Sequence, residues 1–204
     1  ENVVEIVCGA RHVMARTESG RLWGWGDNDW GQVGIGDTDK CDTPQIIIDK
    51  DITSVKCGVT ITIALNRMGK AMVFGVHLLR PVELDFEGKR IGQIECGAEH
   101  ALALSVDGDV YGYVDYNKGQ MEHSGTYLSR CLRKLSRGSD KYKLIGCGTY
   151  SSIMLTVDNV LTTTTNNKTT TVKLNISIEK ILTVNYGLFD GGLETSLYVA
   201  VTKG

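Results

Sequence analysis

The sequence predicts an all-β fold, a β-propeller whose blades are sheets of four antiparallel strands. Three features lead to this prediction: a recurring motif, short strands rich in β-branched residues, and a tight-turn signature that closes each recurrence. Recurrence at intervals of roughly 40 to 50 residues is typical of solenoids, propellers and arrays. About four short strands fit into one such interval, which is the content of one propeller blade.

The recurring motif is a cysteine and a glycine followed by an alternating strand. Its four clear copies begin at Cys8, Cys57, Cys96 and Cys147. Two of the copies also share a histidine, His12 and His100, and a worn fifth copy lies in residues 185–201. Cysteines spaced 39 to 51 residues apart match no zinc-ligand pattern. We therefore interpret them as small, nearly apolar side chains that pack at equivalent positions.

Strands and turns alternate along each copy. Runs such as residues 53–57 and 60–65 are short and rich in β-branched residues, and no segment sustains a helical apolar period. The residues that close the copies are Gly20, Gly69, Gly108, Asn159 and Gly204. Hairpin turns require positive φ, which costs glycine and asparagine least. A β-sandwich would not explain the repetition, and a β-helix turn would be much shorter.

Residues 21–34 read Arg-Leu-Trp-Gly-Trp-Gly-Asp-Asn-Asp-Trp-Gly-Gln-Val-Gly, and Thr43-Pro44 follows them. This segment resembles a repeat of the regulator of chromosome condensation family, and residues 110–121 resemble it more weakly. The resemblance implies the propeller of that family, which usually closes seven blades. Residues 76–81 and 162–171 depart from the glycine-rich loop of the family. We interpret the threonine-rich segment 162–171 as a hairpin tip or a low-complexity insertion.

The repeats predict a single domain over residues 1–204. It comprises a half-blade, 1–20, and repeats of approximately 21–69, 70–108, 109–159 and 160–204. Four repeats and a half-blade are too few to close the seven-bladed ring that is usual in the family. We therefore expect a partial or open propeller, either a piece of a longer chain or one that further blades or another chain complete. We also expect that the strands that would pair with the half-blade 1–20 are missing.

Charge and composition restrict the functional classes. The chain has 22 basic and 24 acidic residues, a formal net charge of −2, so it carries no general field for nucleic acid. No apolar run approaches the roughly 20 residues that span a bilayer, and no membrane role is expected. Six cysteines without a Cys-x-x-Cys pair favour a reduced intracellular compartment, cytoplasmic or nuclear.

Catalytic chemistry is not recognisable in the sequence. His12 and His100 occupy equivalent repeat positions, so they are not partners in a nucleophile and base pair. We predict that both are structural, with each imidazole bonded to neighbouring backbone. Gly24 and Gly26 lie in a β loop without a following helix, which argues against a dinucleotide site. The sequence predicts no enzyme, no metal, no cofactor and no small-molecule substrate.

Three features are candidates for a binding surface, and the third of them is the threonine-rich segment 162–171 described above. The first is a basic stretch within residues 129–143, from which the candidate residues are Arg130, Arg133, Lys134 and Arg137. Clustered arginines suit an acidic protein surface or phosphates, and the alternative is a solvated blade edge. The second surface is a loop tip formed by Asp27, Asp29 and Trp30. An exposed aromatic residue is a candidate hot spot, and the alternative is that Trp30 folds back on its blade.

The predicted function is a non-catalytic protein–protein interaction module. The family resemblance implies two alternatives. One is a guanine nucleotide exchange factor for a Ran-like small GTPase, and the other is a chromatin-binding platform that contacts histones. Exchange in the family depends on a protruding wedge, and the longest period here, 51 residues, leaves little room for one.

Overall fold

The computed structural model describes residues 1–114, 131–136, 138–165, 168–176, 178–185 and 196–202. All regular secondary structure in these residues is β-strand. Four four-stranded antiparallel sheets follow one another along the chain, and a two-stranded hairpin comes last. The predicted all-β fold with four-stranded blades is confirmed, and the chain forms a partial propeller.

The strands group into blades in chain order. Blade 1 contains β1 (Val3–Cys8), β2 (His12–Thr17), β3 (Leu22–Gly26) and β4 (Cys41–Ile48). Blade 2 contains β5 (Ile52–Cys57), β6 (Ile61–Asn66), β7 (Ala71–Gly75) and β8 (Leu78–Glu83). Blade 3 contains β9 (Ile91–Cys96), β10 (His100–Ser105), β11 (Val110–Val114) and β12 (Cys131–Lys134). Blade 4 contains β13 (Tyr142–Cys147), β14 (Ser151–Thr156), β15 (Val160–Thr165) and β16 (Lys168–Lys173). The hairpin pairs β17 (Ile178–Asn185) with β18 (Ser196–Thr202).

The first strand of every blade lies at the inner side of the arc. Strands β1, β5, β9, β13 and β17 contact one another in that order. Each sheet is paired in simple sequence order, so its fourth strand lies at the outer edge. The burial pattern agrees, because most residues of β4 and all residues of β8 and β16 are at least partly exposed.

The turn that closes each sequence repeat lies inside a blade. Gly20, Gly69, Gly108 and Asn159 have φ of 84°, 79°, 84° and 62°, as the turn prediction requires. Each of them joins the second strand of a sheet to the third. Sequence periods and blades are therefore half a blade out of phase. The expectation that residues 1–20 lack their partner strands is wrong, because β2 pairs with β3 across the Gly20 turn.

Hydrophobic side chains from adjacent blades bury each other at the junctions. Between blades 1 and 2, the core joins Met14 and Leu22 to Ile52, Val55 and Phe74. Equivalent clusters join blade 2 to blade 3 and blade 3 to blade 4. Since each sheet is narrow, it gains its apolar burial from its neighbours and not from a separate core.

Blade 1 leaves one sheet face without such a neighbour among the described residues. Ile6 pairs with Ala15 in the register in which Val55 pairs with Ala64, yet Ile6 is 64% exposed and Val55 is fully buried. The same difference separates Cys8, which is exposed, from Cys96 and Cys147, which are buried. The repeated cysteines are thus small packing residues wherever a preceding blade covers them.

The threonine-rich segment of blade 4 belongs to regular strands. Its residues form β15 and β16, with Thr163 opposite Thr170 and Thr164 opposite Thr169. The segment is thus the end of the β15–β16 hairpin, in agreement with the hairpin-tip interpretation, whereas its interpretation as a low-complexity insertion is wrong. Threonine is β-branched and fits a pleated strand, which explains why so polar a run completes the blade. Across the described residues, there is no helix long and apolar enough to cross a membrane.

Candidate functional site

The two repeat histidines join neighbouring blades. His12 on β2 places Nε2 2.8 Å from Thr62 Oγ1 on β6, and His100 on β10 places Nε2 3.2 Å from Ser152 Oγ on β14. Both rings are buried. The structural role is as predicted. The partner found is a hydroxyl of the next blade in each case, whereas the sequence led us to expect neighbouring backbone.

The hydrogen bonds of Thr62 determine the tautomer of His12. The Thr62 hydroxyl donates to the Gln32 carbonyl at 2.8 Å, so it accepts the proton of His12 Nε2–H. Nδ1 of His12 then carries a lone pair, and it has no hydrogen-bond partner among the described residues. Burial lowers the pKa of both His12 and His100 to about 4. Both rings are therefore neutral near pH 7, which suits a junction and not an acid or base catalyst.

The glycine of the Cys-Gly pair gives the histidine ring its space. A Cβ on Gly9 would overlap the His12 ring and lie 2.6 Å from the Gly58 carbonyl oxygen. At the third blade, a Cβ on Gly97 would overlap the His100 ring in the same way. The backbone of adjacent blades also meets here, since Ala10 N donates to Gly58 O at 3.1 Å. The spacing of glycine and histidine in the motif thus follows from packing.

Two buried side chains hold the glycine-rich loop of blade 1. Asn28 Nδ2 donates to Asp37 O at 2.9 Å, and Asn28 Oδ1 accepts from Val33 N at 2.9 Å. Gln32 Oε1 accepts from Trp30 N at 2.9 Å. Because Asn28 and Gln32 are buried and bonded within the loop, the tip between them is held in one conformation.

This tip carries the three residues of the second candidate surface. Trp30 is 38% exposed, and Asp29 is exposed beside it. Asp27 Oδ1 accepts from Asp29 N at 3.1 Å, and its Oδ2 lies 3.7 Å from Arg11 Nη1. Trp30 also contacts His77 of blade 2, with ring centroids 5.0 Å apart and planes inclined by 54°. The tip is therefore an aromatic and acidic surface at the junction of two blades.

The basic stretch is partly neutralised by an acid distant in sequence. Lys134 Nζ and Lys141 Nζ lie 3.0 Å and 2.9 Å from the two carboxylate oxygens of Asp109, whose side chain is only 7% exposed. The hydrogen bond from Lys141, followed by that from Lys134, lowers the pKa of Asp109. Lys143 Nζ donates to Asn159 Oδ1 at 2.6 Å. Lys141 thus joins the start of blade 4 to Asp109 of blade 3, whereas Lys134 and Lys143 bond within their own blades.

The predicted binding residues fall on two separate blades. Asp27, Asp29 and Trp30 lie on the loop after β3, whereas Arg133 and Lys134 lie on β12. Arg133 is exposed on that outer strand. Arg130 and Arg137 lie outside the described residues. In the part of the chain that the structure describes, no group of three or more His, Cys, Asp or Glu is arranged to hold a metal ion.

Sequence reasoning missed two residues that define these surfaces. His77 has no motif around it, and only the contact between blades shows that it meets Trp30. Asp109 directly follows the predicted turn at Gly108, but its charge was not connected to lysines 25 and 32 residues later. A search for acids beside each turn glycine would have found Asp109.

Comparison with known proteins agrees with this architecture. Two models of the regulator of chromosome condensation (RCC1) repeat match residues 19–65 and 3–32. Human E3 ubiquitin-protein ligase HERC2 is 29% identical over 180 residues, which cover 78% of this chain and 4% of that protein. The Danio rerio RCC2 homolog is 31% identical over 149 residues, 64% of this chain and 30% of that protein. The chain thus spans less than a third of either relative.

The fold is shared with a solved propeller. Saccharomyces cerevisiae Prp20p superposes with a TM-score of 0.74 and 16% sequence identity, over 100% of this chain and 57% of that one. Matching repeat models, homologous sequences and the same blade architecture lead to one conclusion. The chain carries repeats of the regulator of chromosome condensation (RCC1) family in residues 3–65, and its blades share the fold of that propeller.

Proposed function

We propose that this chain is a non-catalytic protein-interaction module, and that the tip at Trp30 is its principal contact surface. The supporting observation is that a large aromatic side chain stays 38% exposed on a loop whose own polar groups are bonded internally. Exposed aromatics on rigid supports are typical hot spots of protein interfaces. The buried histidines, in contrast, are bonded to hydroxyls of the next blade and are not available to a partner.

The basic stretch is the secondary contact surface in this proposal. Lys134 and Lys141 share Asp109, so part of their charge is used within the molecule. Arg133 lies on the outer strand β12, where it is exposed, and its planar guanidinium has several donors that suit an acidic partner. Its contribution is expected to be smaller than that of Trp30, because exposed charges at an interface rim add little affinity.

The test is parallel affinity capture from a cell extract with four proteins: the wild type, Trp30→Ala, Arg133→Glu and a control. Met68→Ala is a suitable control, because Met68 is 69% exposed and lies at the opposite end of β7 from His77. We expect a partner that Met68→Ala retains and Trp30→Ala loses. Equal retention of every captured protein by the wild type and by both surface variants would overturn the proposal.

The identity of the partner separates the functional alternatives. The Prp20p structure was reported with its binding to Gsp1p and histones, and such binding is a proposal for the present chain. A captured small GTPase calls for a nucleotide-release assay, in which exchange activity requires acceleration at substoichiometric amounts of this chain. Captured histones call for nucleosome binding at several salt concentrations, because charge-driven contacts weaken steeply with salt. The proposed site of action is intracellular, cytoplasmic or nuclear.

A further inference from the structure

An exposed aromatic pair crosses the junction between blades 1 and 2. Trp30 belongs to the loop after β3, and His77 belongs to the turn between β7 and β8. Their ring centroids are 5.0 Å apart, and His77 N donates to Trp30 O at 2.8 Å. Both side chains are exposed. The pair is thus held by backbone and ring contacts while its outer surface is open to solvent.

The turn that positions His77 has an unfavourable backbone. Val76 and His77 have φ of 50° and 70°. Two consecutive positive φ values are favourable for Asn-Gly, but they are costly for a β-branched residue such as valine. Val76 is fully buried and its N donates to Thr60 O at 2.9 Å, so packing maintains the turn. The backbone at His77 is therefore positioned next to Trp30 by the packing and hydrogen bond of Val76.

The loop of blade 1 that carries Trp30 also carries exposed carboxylates. Asp29 is exposed next to Trp30, and Asp37 and Asp39 are exposed in the same loop. The single lysine of the loop, Lys40, forms an ion pair with Asp42. Its positive charge is thus directed to a neighbouring acid. Arg11 pairs with Asp27, and the guanidinium of Arg80 lies against Gly36, so these cations offset part of the charge of the loop. Next to Trp30, the surface combines an indole ring with the exposed carboxylate of Asp29.

This combination is suited to a cationic side chain. A guanidinium or ammonium group is attracted to the face of an indole ring, and tryptophan is the best aromatic residue for this contact. Arginine also stacks on aromatic rings and binds a carboxylate with two donors, which lysine does not. Arginine can therefore use the ring and the carboxylate together.

Accordingly, we propose that the Trp30 and His77 pair, with Asp29, binds an arginine side chain of the protein partner. This inference rests on the proposed interaction function, and it adds the chemical class of the contact. The guanidinium stacks on the ring of Trp30 and donates to the carboxylate of Asp29. Salt weakens the binding because Asp29 is exposed and the attraction is screened.

The test is a titration of the full chain, followed by the indole N–H signal of Trp30 in NMR spectra. Trp30→Phe assigns that signal among the three tryptophans. The probes are three short peptides of equal length whose central residues are arginine, lysine or glutamine. We expect the arginine peptide to shift the Trp30 signal at the lowest concentration. Trp30→Ala and Asp29→Asn should each weaken its binding about 5- to 30-fold, in the range of a cation–π or charged hydrogen-bond contact.

Control variants make the outcome decisive. Asp85→Asn removes one acid of blade 2 outside this loop and should leave the affinity unchanged, as should Met68→Ala. The inference is overturned if the glutamine peptide binds as well as the arginine peptide, or if Trp30→Ala binds the arginine peptide with wild-type affinity. It would also be overturned if a captured partner required Trp30 but bound equally to Asp29→Asn at all salt concentrations. That last result would contradict the arginine contact but not the proposed interaction function. If no captured protein depends on Trp30, the proposed interaction function itself is wrong.

Discussion

His12 Nε2 lies 2.8 Å from Thr62 Oγ1, across the junction between blades 1 and 2. The third junction repeats this pair with His100 and Ser152. At the second junction, between blades 2 and 3, the strand register places Ile61 at the position equivalent to His12. It places Ala101 at the position equivalent to Thr62. Polar partners thus occur together or are both replaced by apolar residues. Because an unpaired buried polar group is costly, the two positions of a junction depend on each other.

Thr62→Val tests the energy of this bridge. The variant keeps the shape of the side chain but removes the hydroxyl that joins His12 to the Gln32 carbonyl. We expect a loss of about 1 to 3 kcal/mol in the free energy of unfolding, because two buried polar groups lose their partner. Urea denaturation measures the change. Thr170→Val on the exposed strand β16 is the matched control and should change stability by less than about 0.5 kcal/mol.

Acid should weaken the fold through the same histidines. Their folded-state pKa of about 4 is below the ordinary value of 6.5, so the folded protein disfavours protonation. The stabilisation is fully present above pH 6.5 and is lost as the pH falls from 6.5 toward 4. At pH 4.5, the expected loss is about 2 to 3 kcal/mol for each histidine. The unfolding free energy of His100→Gln should fall less between pH 7 and pH 4.5 than that of the wild type, and an identical fall would contradict the assignment.

Gly97→Ala should disrupt the junction between blades 3 and 4. The added Cβ would overlap the His100 ring and lie 2.6 Å from the Gly148 carbonyl oxygen. Backbone and a buried ring cannot move away cheaply, so we expect a loss of about 3 kcal/mol or more, or an insoluble protein. For comparison, a Cβ on Gly92 would lie 3.3 Å from Cγ1 of the exposed Val106 and 3.9 Å from the Leu104 carbonyl oxygen. Gly92→Ala should therefore retain nearly wild-type stability in thermal denaturation.

Lys134→Glu and Arg133→Glu should differ although the residues are adjacent. Lys134 is paired with Asp109, which is largely buried, and a glutamate there would place two carboxylates together. We expect Lys134→Glu to lower the melting temperature more than Arg133→Glu, because the Lys134 variant replaces an attraction to Asp109 by a repulsion. Equal melting temperatures of the two variants would contradict a structural role for Lys134. Arg133→Glu is consequently the cleaner probe of partner binding.

Equivalent apolar residues in blades 1 and 2 should respond differently to a polar substitution. Val55 is fully buried against blade 1, whereas Ile6 occupies the same register position and is 64% exposed. Val55→Ser should cost about 3 kcal/mol or more, and Ile6→Ser less than about 1 kcal/mol, because only Val55 leaves a buried cavity. Unfolding in urea measures both. A large loss for Ile6→Ser would show that another element covers this face in solution.

The sequence determined the repeat, the strand character and the turns of this protein. The alternation in 60–65 requires a strand, and the turn at Gly69 requires positive φ, which is present at 79°. Both are properties of a few consecutive residues, so local chemistry suffices to predict them. The family motif around Trp30 was equally readable, because Asn28 and Gln32 are bonded within their own loop.

Tertiary structure alone decided how the blades meet and which charges remain available. The sequence repeats begin and end in the middle of the sheets. The start of a repeat can be chosen anywhere along the sequence, whereas strand pairing determines where each sheet begins. The partners of His12, Trp30 and Lys134 are Thr62, His77 and Asp109, which lie 50, 47 and 25 residues away. Such contacts depend on the packing of one blade on the next and on hairpin pairing within a blade. Sequence patterns report local periodicity and chemistry, whereas these partners are chosen by the three-dimensional arrangement of the strands.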